Sequence, residues 1–143
     1  MLFDAKLLFS DAQAVTETAV STNVVDVGKS SRVPYATQDL KRDVGPGEPQ
    51  AIRIQVVEDF ATLTSLMVTL QTDDAENFSS PTSIAVSPAV AVADLKAGKY
   101  FSIEYLPHDC KRYLRLNYTV TGTAATAGKL TSGMVAAHQS NAA

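Results

Sequence analysis

Between Arg112 and Val120 the chain alternates without a break: Leu114, Leu116, Tyr118 and Val120 fall on one side, and Tyr113, Arg115, Asn117 and Thr119 on the other. Successive side chains of a β-strand point to opposite faces, so a period of two marks a strand with one buried face, whereas a helix repeats every 3.6 residues. The same period recurs elsewhere. Ile52, Ile54 and Val56 line up within 51–57, Leu66, Val68 and Leu70 within 65–71, and Phe101, Ile103 and Tyr105 form a fourth block. From these blocks Leu114, Leu116, Ile52, Ile54, Val68, Leu70 and Ile103 are expected inside.

Weaker strand signals run over 20–27, 82–87 and 129–136, and residues 7–15 could supply an edge strand. Turn chemistry separates the blocks: Asp73 and Asp74 with Asn77, Ser79-Ser80-Pro81, Ala97-Gly98, Leu106-Pro107 with Asp109, and Thr121-Gly122. Only 90–96, with Gly98 as a stop, offers a turn or two of helix. The abundance of Ala, Val, Thr and Ser (20, 15, 14 and 12 residues) favours strands further. The expected fold is all-β, a jelly-roll-like β sandwich of seven or eight strands with one long loop. A chain of 143 residues suits a single domain over 1–143. Its long loop would span 28–49, holding the cluster Gly45-Pro-Gly-Glu-Pro49, and a short tail would cover 138–143.

Charge and cysteine usage narrow the function classes. The net charge is -3 and the 12 basic residues are scattered, so no row of cations stands ready for phosphates and nucleic acid is not an expected partner. Cys110 is the single cysteine, which precludes an intrachain disulfide and suits a chain folded in a reducing interior. Asp4 and Lys6 interrupt the apolar start, so secretion by a signal peptide is not expected. The most apolar window, 84–97, is broken by Pro88, Asp94 and Lys96 and is shorter than the roughly 20 residues that cross a bilayer, so no membrane partner is expected.

No constellation for chemistry emerges. His108 and His138 are the only histidines, and a Pro-His-Asp-Cys turn sets His108 and Cys110 too close in sequence to face each other as base and nucleophile. Asp73, Asp74 and Glu76 invite a calcium site, but the loop lacks the bend glycine and the bidentate glutamate of an EF-hand, so a solvated turn is the expectation. Gly45-Pro46-Gly47 makes a poor phosphate cradle, since Pro46 has no N–H to donate. No enzyme activity, metal or cofactor is expected.

Several stretches occur together in a distinctive order: Phe9-Ser-Asp-Ala-Gln-Ala-Val15 with Val20-Ser-Thr-Asn-Val-Val-Asp-Val-Gly28, Arg42-Asp-Val-Gly-Pro-Gly-Glu-Pro49, and Leu70-Gln-Thr-Asp-Asp-Ala-Glu-Asn-Phe-Ser-Ser-Pro81. With Arg112-Tyr-Leu-Arg-Leu-Asn-Tyr-Thr-Val120 and Thr121-Gly122, they resemble the capsid cement proteins of podophages, the type first named from a Bordetella phage, over nearly the whole chain. The resemblance implies a jelly roll made in the host cytoplasm that sits on the outer surface of the virion. There it would bridge neighbouring subunits of the major capsid protein as a homodimer, or alternatively a trimer, with no active site.

Candidate capsid contacts are chosen by residue type. Phe3 and Phe9, in the N-terminal segment 1–10, and Tyr35 beside Arg32, Lys41 and Arg42, in the long loop, are the aromatic and basic anchors that commonly dominate interfaces. The two Phe residues could instead close one end of the sandwich. A carbohydrate-binding jelly-roll module is the alternative function, with Tyr35, Tyr100 and Tyr113 as exposed stacking candidates and Tyr105 and Tyr118 assigned to apolar faces.

Overall fold

The computed structural model describes residues 3–29, 31–32, 34–35, 37, 39–40, 50–103, 105–107 and 110–136. Its ten strands are β1 (Leu8–Ala14), β2 (Ala19–Val20), β3 (Val25–Asp26), β4 (Ser31–Arg32), β5 (Asp39–Leu40), β6 (Ala51–Asp73), β7 (Thr82–Val86), β8 (Val90–Ala91), β9 (Tyr100–Ile103) and β10 (Tyr113–Val135). Eight form one antiparallel sheet, and β4 pairs with β5 in a separate ribbon. The fold is all-β, as the alternation requires. Among the described residues no helix is long and apolar enough to cross a membrane.

Two strands dominate. β6 and β10 each run for 23 residues and pair with each other from Asp73 opposite Tyr113 to Ala51 opposite Val135. They do not run straight. Tyr118 and Ser132, 14 residues apart on β10, hold their hydroxyl oxygens 2.7 Å apart, whereas an extended strand would separate them by about 46 Å. The pair therefore folds over on itself, and the register slips that permit it fall between Thr121 and Leu130. Thr62, Gly122 and Gly128 carry the positive φ angles of this bend, at 74°, 91° and 139°.

Folding over turns one sheet into two leaves. The first consists of β1, the second half of β10, the first half of β6 and β9; the second consists of β2 and β3, the first half of β10, the second half of β6, and β7 and β8. Between the leaves lie all seven residues expected inside, with Leu66, Val56, Leu130, Phe60 and Tyr118. Leu95 plugs the bend: it follows a single 3₁₀ turn, Val92–Asp94, and its carbonyl accepts the Phe60 N–H at 3.0 Å.

Serine hydroxyls stand in where the edge strands of the second leaf break. The Ser21 hydroxyl accepts the Leu116 N–H and the Ser87 hydroxyl accepts the Val68 N–H, both at 3.0 Å. Each replaces a ladder acceptor that the interrupted strand fails to offer.

Several expectations change. The blocks at 51–57 and 65–71 are one strand, and so are those at 112–120 and 129–136; Gly122 bends a strand rather than ending one. The 20–27 block splits into β2 and β3, and the 28–49 segment holds the β4–β5 ribbon instead of being all loop. Where a short helix was expected over 90–96, Val90 and Ala91 pair with β6 and only the 3₁₀ turn follows. Tyr105 lies beyond the end of β9 and is 64% exposed, so the apolar alternation stops at Ile103.

Tyr118 ties the leaves together through a directed chain of hydrogen bonds. Ser10 spends its one proton on Gln13 Oε1 at 2.6 Å, so at the 2.7 Å contact Tyr118 donates to Ser10 and must accept from Ser132. Burial pushes its phenol up to about 12 from 10.0, opposed by its hydrogen bonds with Ser10 and Ser132. An unfolded tyrosine ionises first, so stability is unaffected below pH 10 and falls as pH climbs from about 10 towards 12.

Two outcomes are expected. Tyr118→Phe, which leaves the buried Ser132 hydroxyl without its acceptor and the Ser10 oxygen without its donor, costs about 1–3 kcal/mol in urea unfolding and removes the late phenol from an absorbance titration of the folded protein. Gly128→Ala costs at least about 2 kcal/mol, because a Cβ at this positive φ would overlap the buried Phe60 ring; an unchanged denaturation midpoint would refute the account of the bend.

Candidate interaction surface

The candidates chosen by residue type separate once folded. Phe9 is fully buried and Ser10 beside it is equally inaccessible, so Phe9 is a core residue and not an external anchor. The bulges in β1 on either side of Ser10 break the alternation and turn two successive residues inward. Phe3 is half-buried and lies over Gly133, where an added Cβ would meet its Cδ1 at 2.8 Å. Tyr35, with φ 67°, stands fully exposed between β4 and β5, and Arg32 lies opposite Asp39 in that ribbon. Lys41 and Arg42 fall outside the described residues, as do His108 and His138.

Clustered carboxylates are consumed by the fold. Asp73 accepts the N–H groups of Ala75 at 3.2 Å and Ser80 at 2.8 Å, and these backbone bonds hold its carboxyl below the usual range. Asp74 pairs with Lys111 at 3.5 Å. The turn expected here is thus present, closed over a buried Asp73, with Asp74 and Glu76 exposed. Asp59 accepts the Ala97 N–H at 2.7 Å and faces Lys96 at 3.4 Å, which pins the turn before β9. Cys110 is buried, with its thiol 3.1 Å from the Pro107 carbonyl. Among the described residues no three His, Cys, Asp or Glu side chains are grouped to hold a metal.

Aromatic rings and arginines make up the more distinctive surface. Three described arginines lie over aromatic rings: Arg53 at 3.7 Å from the Tyr100 centroid, Arg115 at 4.2 Å from Phe78, and Arg112 at 4.7 Å from Tyr113. Arg112 grips Asp26 through Nε at 2.9 Å and Nη2 at 2.8 Å, and Arg115 Nε donates to Gln71 Oε1 at 2.9 Å. Arg53 differs. Only 8% exposed, it leaves Nε and Nη1 with no acceptor.

Strand register explains its position. On the outer face of the first leaf Arg53 sits between Gly133 of β10 and Ser102 of β9, with Phe3 over Gly133 and Tyr100 two residues along β9. Sequence reasoning missed Arg53 because it occupies the face of an alternating strand that reads as solvated. The single signal was an arginine between two isoleucines, which says nothing of Tyr100 until β9 is paired with β6.

Against known proteins, the chain is similar to one family: a family model described as Bbp16 matches residues 9–134. No curated protein matches it.

The Asp26–Arg112 pair makes one pH-dependent prediction for this surface. The hydrogen bond from Arg112, helped by the Gly28 N–H, lowers the Asp26 carboxyl from 3.8 to about 2. A folded-state value below the unfolded one gives stability that is present above about pH 4 and lost as pH falls towards 2. Asp26→Asn should flatten that part of the acid-unfolding profile measured by circular dichroism, and a profile identical to the parent would refute the link.

Proposed function

This chain belongs to the Bbp16 family, whose name points to a Bordetella phage protein and so to a phage-related role, and from that premise we propose that it is a capsid cement protein. In this reading it binds the outer surface of a tailed-phage shell and links neighbouring subunits of the major capsid protein. It is made in the host cytoplasm, joins the virion, acts as a homodimer and catalyses no reaction.

One observation carries the reading most of the way: Asp26, Asp59 and Asp73 are used in holding turns and strands, while large apolar and aromatic side chains stand out from the sandwich. Asp26 accepts three hydrogen bonds, Asp73 two, and Asp59 one beside its ion pair with Lys96. Tyr35, Tyr105, Val86, Val57 and Tyr100 are 44% exposed or more. Such a molecule is equipped to be a rigid spacer with sticky points, and among the described residues no three His, Cys, Asp or Glu side chains are grouped to hold a metal.

Physics favours this use. A lattice repeats each contact many times, and modest affinity at each point adds through effective concentration. If binding requires the assembled, expanded shell, occupancy stabilises that state by mass action.

Sedimentation with capsid shells that lack the protein tests the proposal. Saturable occupancy of intact shells, and little binding to isolated capsid subunits, is the expected result; no co-sedimentation would overturn it. Replacing Arg32, Tyr35 and Arg42 together by Ala should lower occupancy while leaving the melting temperature of the free protein unchanged. Full occupancy by that variant would remove the 28–49 segment from the contact.

A further inference from the structure

We propose that the outer face of the first leaf around Arg53 is a docking site for a carboxylate side chain of the protein partner, with Phe3 and Tyr100 flanking the point of contact. The proposal rests on the capsid reading above and names the chemistry by which this face would recognise the shell.

An arginine fork has five N–H donors and no acceptor, and it stays charged at any pH a protein survives. Burying it without acceptors is costly, and folded proteins leave few such groups unmatched. Arg53 is more than nine-tenths buried, with Nε and Nη1 unpaired. The Tyr100 ring at 3.7 Å attracts the cation through its face but accepts neither N–H.

The other two stacked arginines show what is missing. Arg112 satisfies its fork with the Asp26 carboxylate, and Arg115 gives its Nε–H to the Gln71 amide. The ion pairs of the described residues join Lys96 with Asp59, Lys111 with Asp74, Arg112 with Asp26 and Lys129 with Glu58, and none reaches Arg53. What fits the unpaired Nε of a stacked guanidinium is a carboxylate, which can accept the Nε–H together with the parallel Nη2–H, as Asp26 does with Nε and Nη2 of Arg112.

Position makes the site reachable from outside. Tyr100 belongs to β9, a four-residue strand that among the described residues pairs with β6 alone, and it is 44% exposed. Displacement of that ring would open the Nε edge of the guanidinium to an approaching side chain. On the other flank Gly133 has no side chain, so the face beside Arg53 is filled by the half-buried Phe3. An apolar rim around a held arginine is the arrangement that excludes water from an interfacial ion pair. Because Tyr100 already restrains the guanidinium, docking loses little further side-chain freedom.

The experiment compares the parent, Arg53→Met and Tyr100→Leu for melting temperature and for binding to shells that lack the protein. Removing an unpaired buried cation leaves the melting temperature of Arg53→Met equal to or above the parent's, while its binding to shells weakens by more than about tenfold. Tyr100→Leu keeps the cation but loses the stack, and should weaken binding less. In the Arg53→Lys variant, carbodiimide should join the new amine to a capsid Asp or Glu: an amide forms, and the reagent leaves as the urea carrying the carboxylate oxygen. Mass spectrometry then identifies the acidic residue.

Parent protein that sediments with shells while Arg53→Met binds equally well overturns the docking site and leaves the capsid reading intact. A lowered melting temperature of Arg53→Met with unchanged binding also overturns it, since the arginine is then structural. If binding by the parent is competed by millimolar inorganic phosphate but by no acetate, a general anion site replaces the carboxylate site. No sedimentation of the parent sinks the capsid reading and this inference together.

Discussion

Two 23-residue strands hydrogen-bonded to each other along their length are too long for a chain of 143 residues unless they fold over as a pair. Everything else follows from that fold-over. Because β6 and β10 remain partners on both sides of the bend, the register in one leaf is linked to the register in the other. A slip of one residue would turn Leu114, Leu116 and Tyr118 outward in one leaf and Leu130, Ser132 and Met134 outward in the other. The hydroxyl chain from Ser132 through Tyr118 and Ser10 to Gln13 closes only in the native register, so it specifies the alignment as well as joining the leaves.

Alternation in the sequence identified the strands' inner faces, because burial on one side of a pleat leaves a mark that needs no tertiary knowledge. Continuity of the strands was hidden. Thr121-Gly122 reads as a turn, since glycine there takes φ 91°, yet a positive φ bends a strand or closes a hairpin depending on what lies across from it. Here Leu63 lies across from Gly122, and the neighbouring Thr62, with φ 74°, spans the bulged residues: its hydroxyl donates to the Ala124 carbonyl at 2.7 Å and accepts the Thr126 N–H at 3.1 Å. Phe9 was misplaced because residue type and nearness to the terminus chose it, while the bulges in β1, which no rule of period two anticipates, turn Ser10 inward beside it. The candidate contacts were legible only as residue types. Tyr35 is exposed and Phe9 is not, and nothing in their local sequence distinguishes them.

The sandwich manages its edges in a way that bears on its role. β1 is bulged, β2 and β3 are two residues each, and β7 and β8 are interrupted at Ser87-Pro88. Short, bulged or proline-broken edges discourage uncontrolled strand addition, so copies held densely on one surface would not add to one another's sheets. Contacts made by side chains on the faces and connections remain available. The proposed cement role, at high local concentration, would need that separation between the surfaces that bind and the edges that aggregate.

Arg53 shows where such a face departs from what stability alone would select. An apolar residue there would pack beneath Tyr100 without a desolvated charge, and replacing a buried charge by a well-packed hydrophobe is often neutral or stabilising. The strand around it is otherwise built for burial, with Ile52 and Ile54 fully inaccessible on the opposite face. The fold nevertheless leaves Phe3 and Gly133 on one side and Tyr100 on the other, holding a fork whose Nε and Nη1 face no acceptor. Arg112 and Arg115 demonstrate that this chain can supply an acceptor to a stacked arginine when the arginine serves the fold. Where none is supplied, the free energy withheld from folding remains available to binding, and a carboxylate from outside recovers it. An incomplete ion pair thus becomes a means of discrimination: surfaces without an acidic side chain at the matching point leave the guanidinium unpaired, and gain only the contact of the rim.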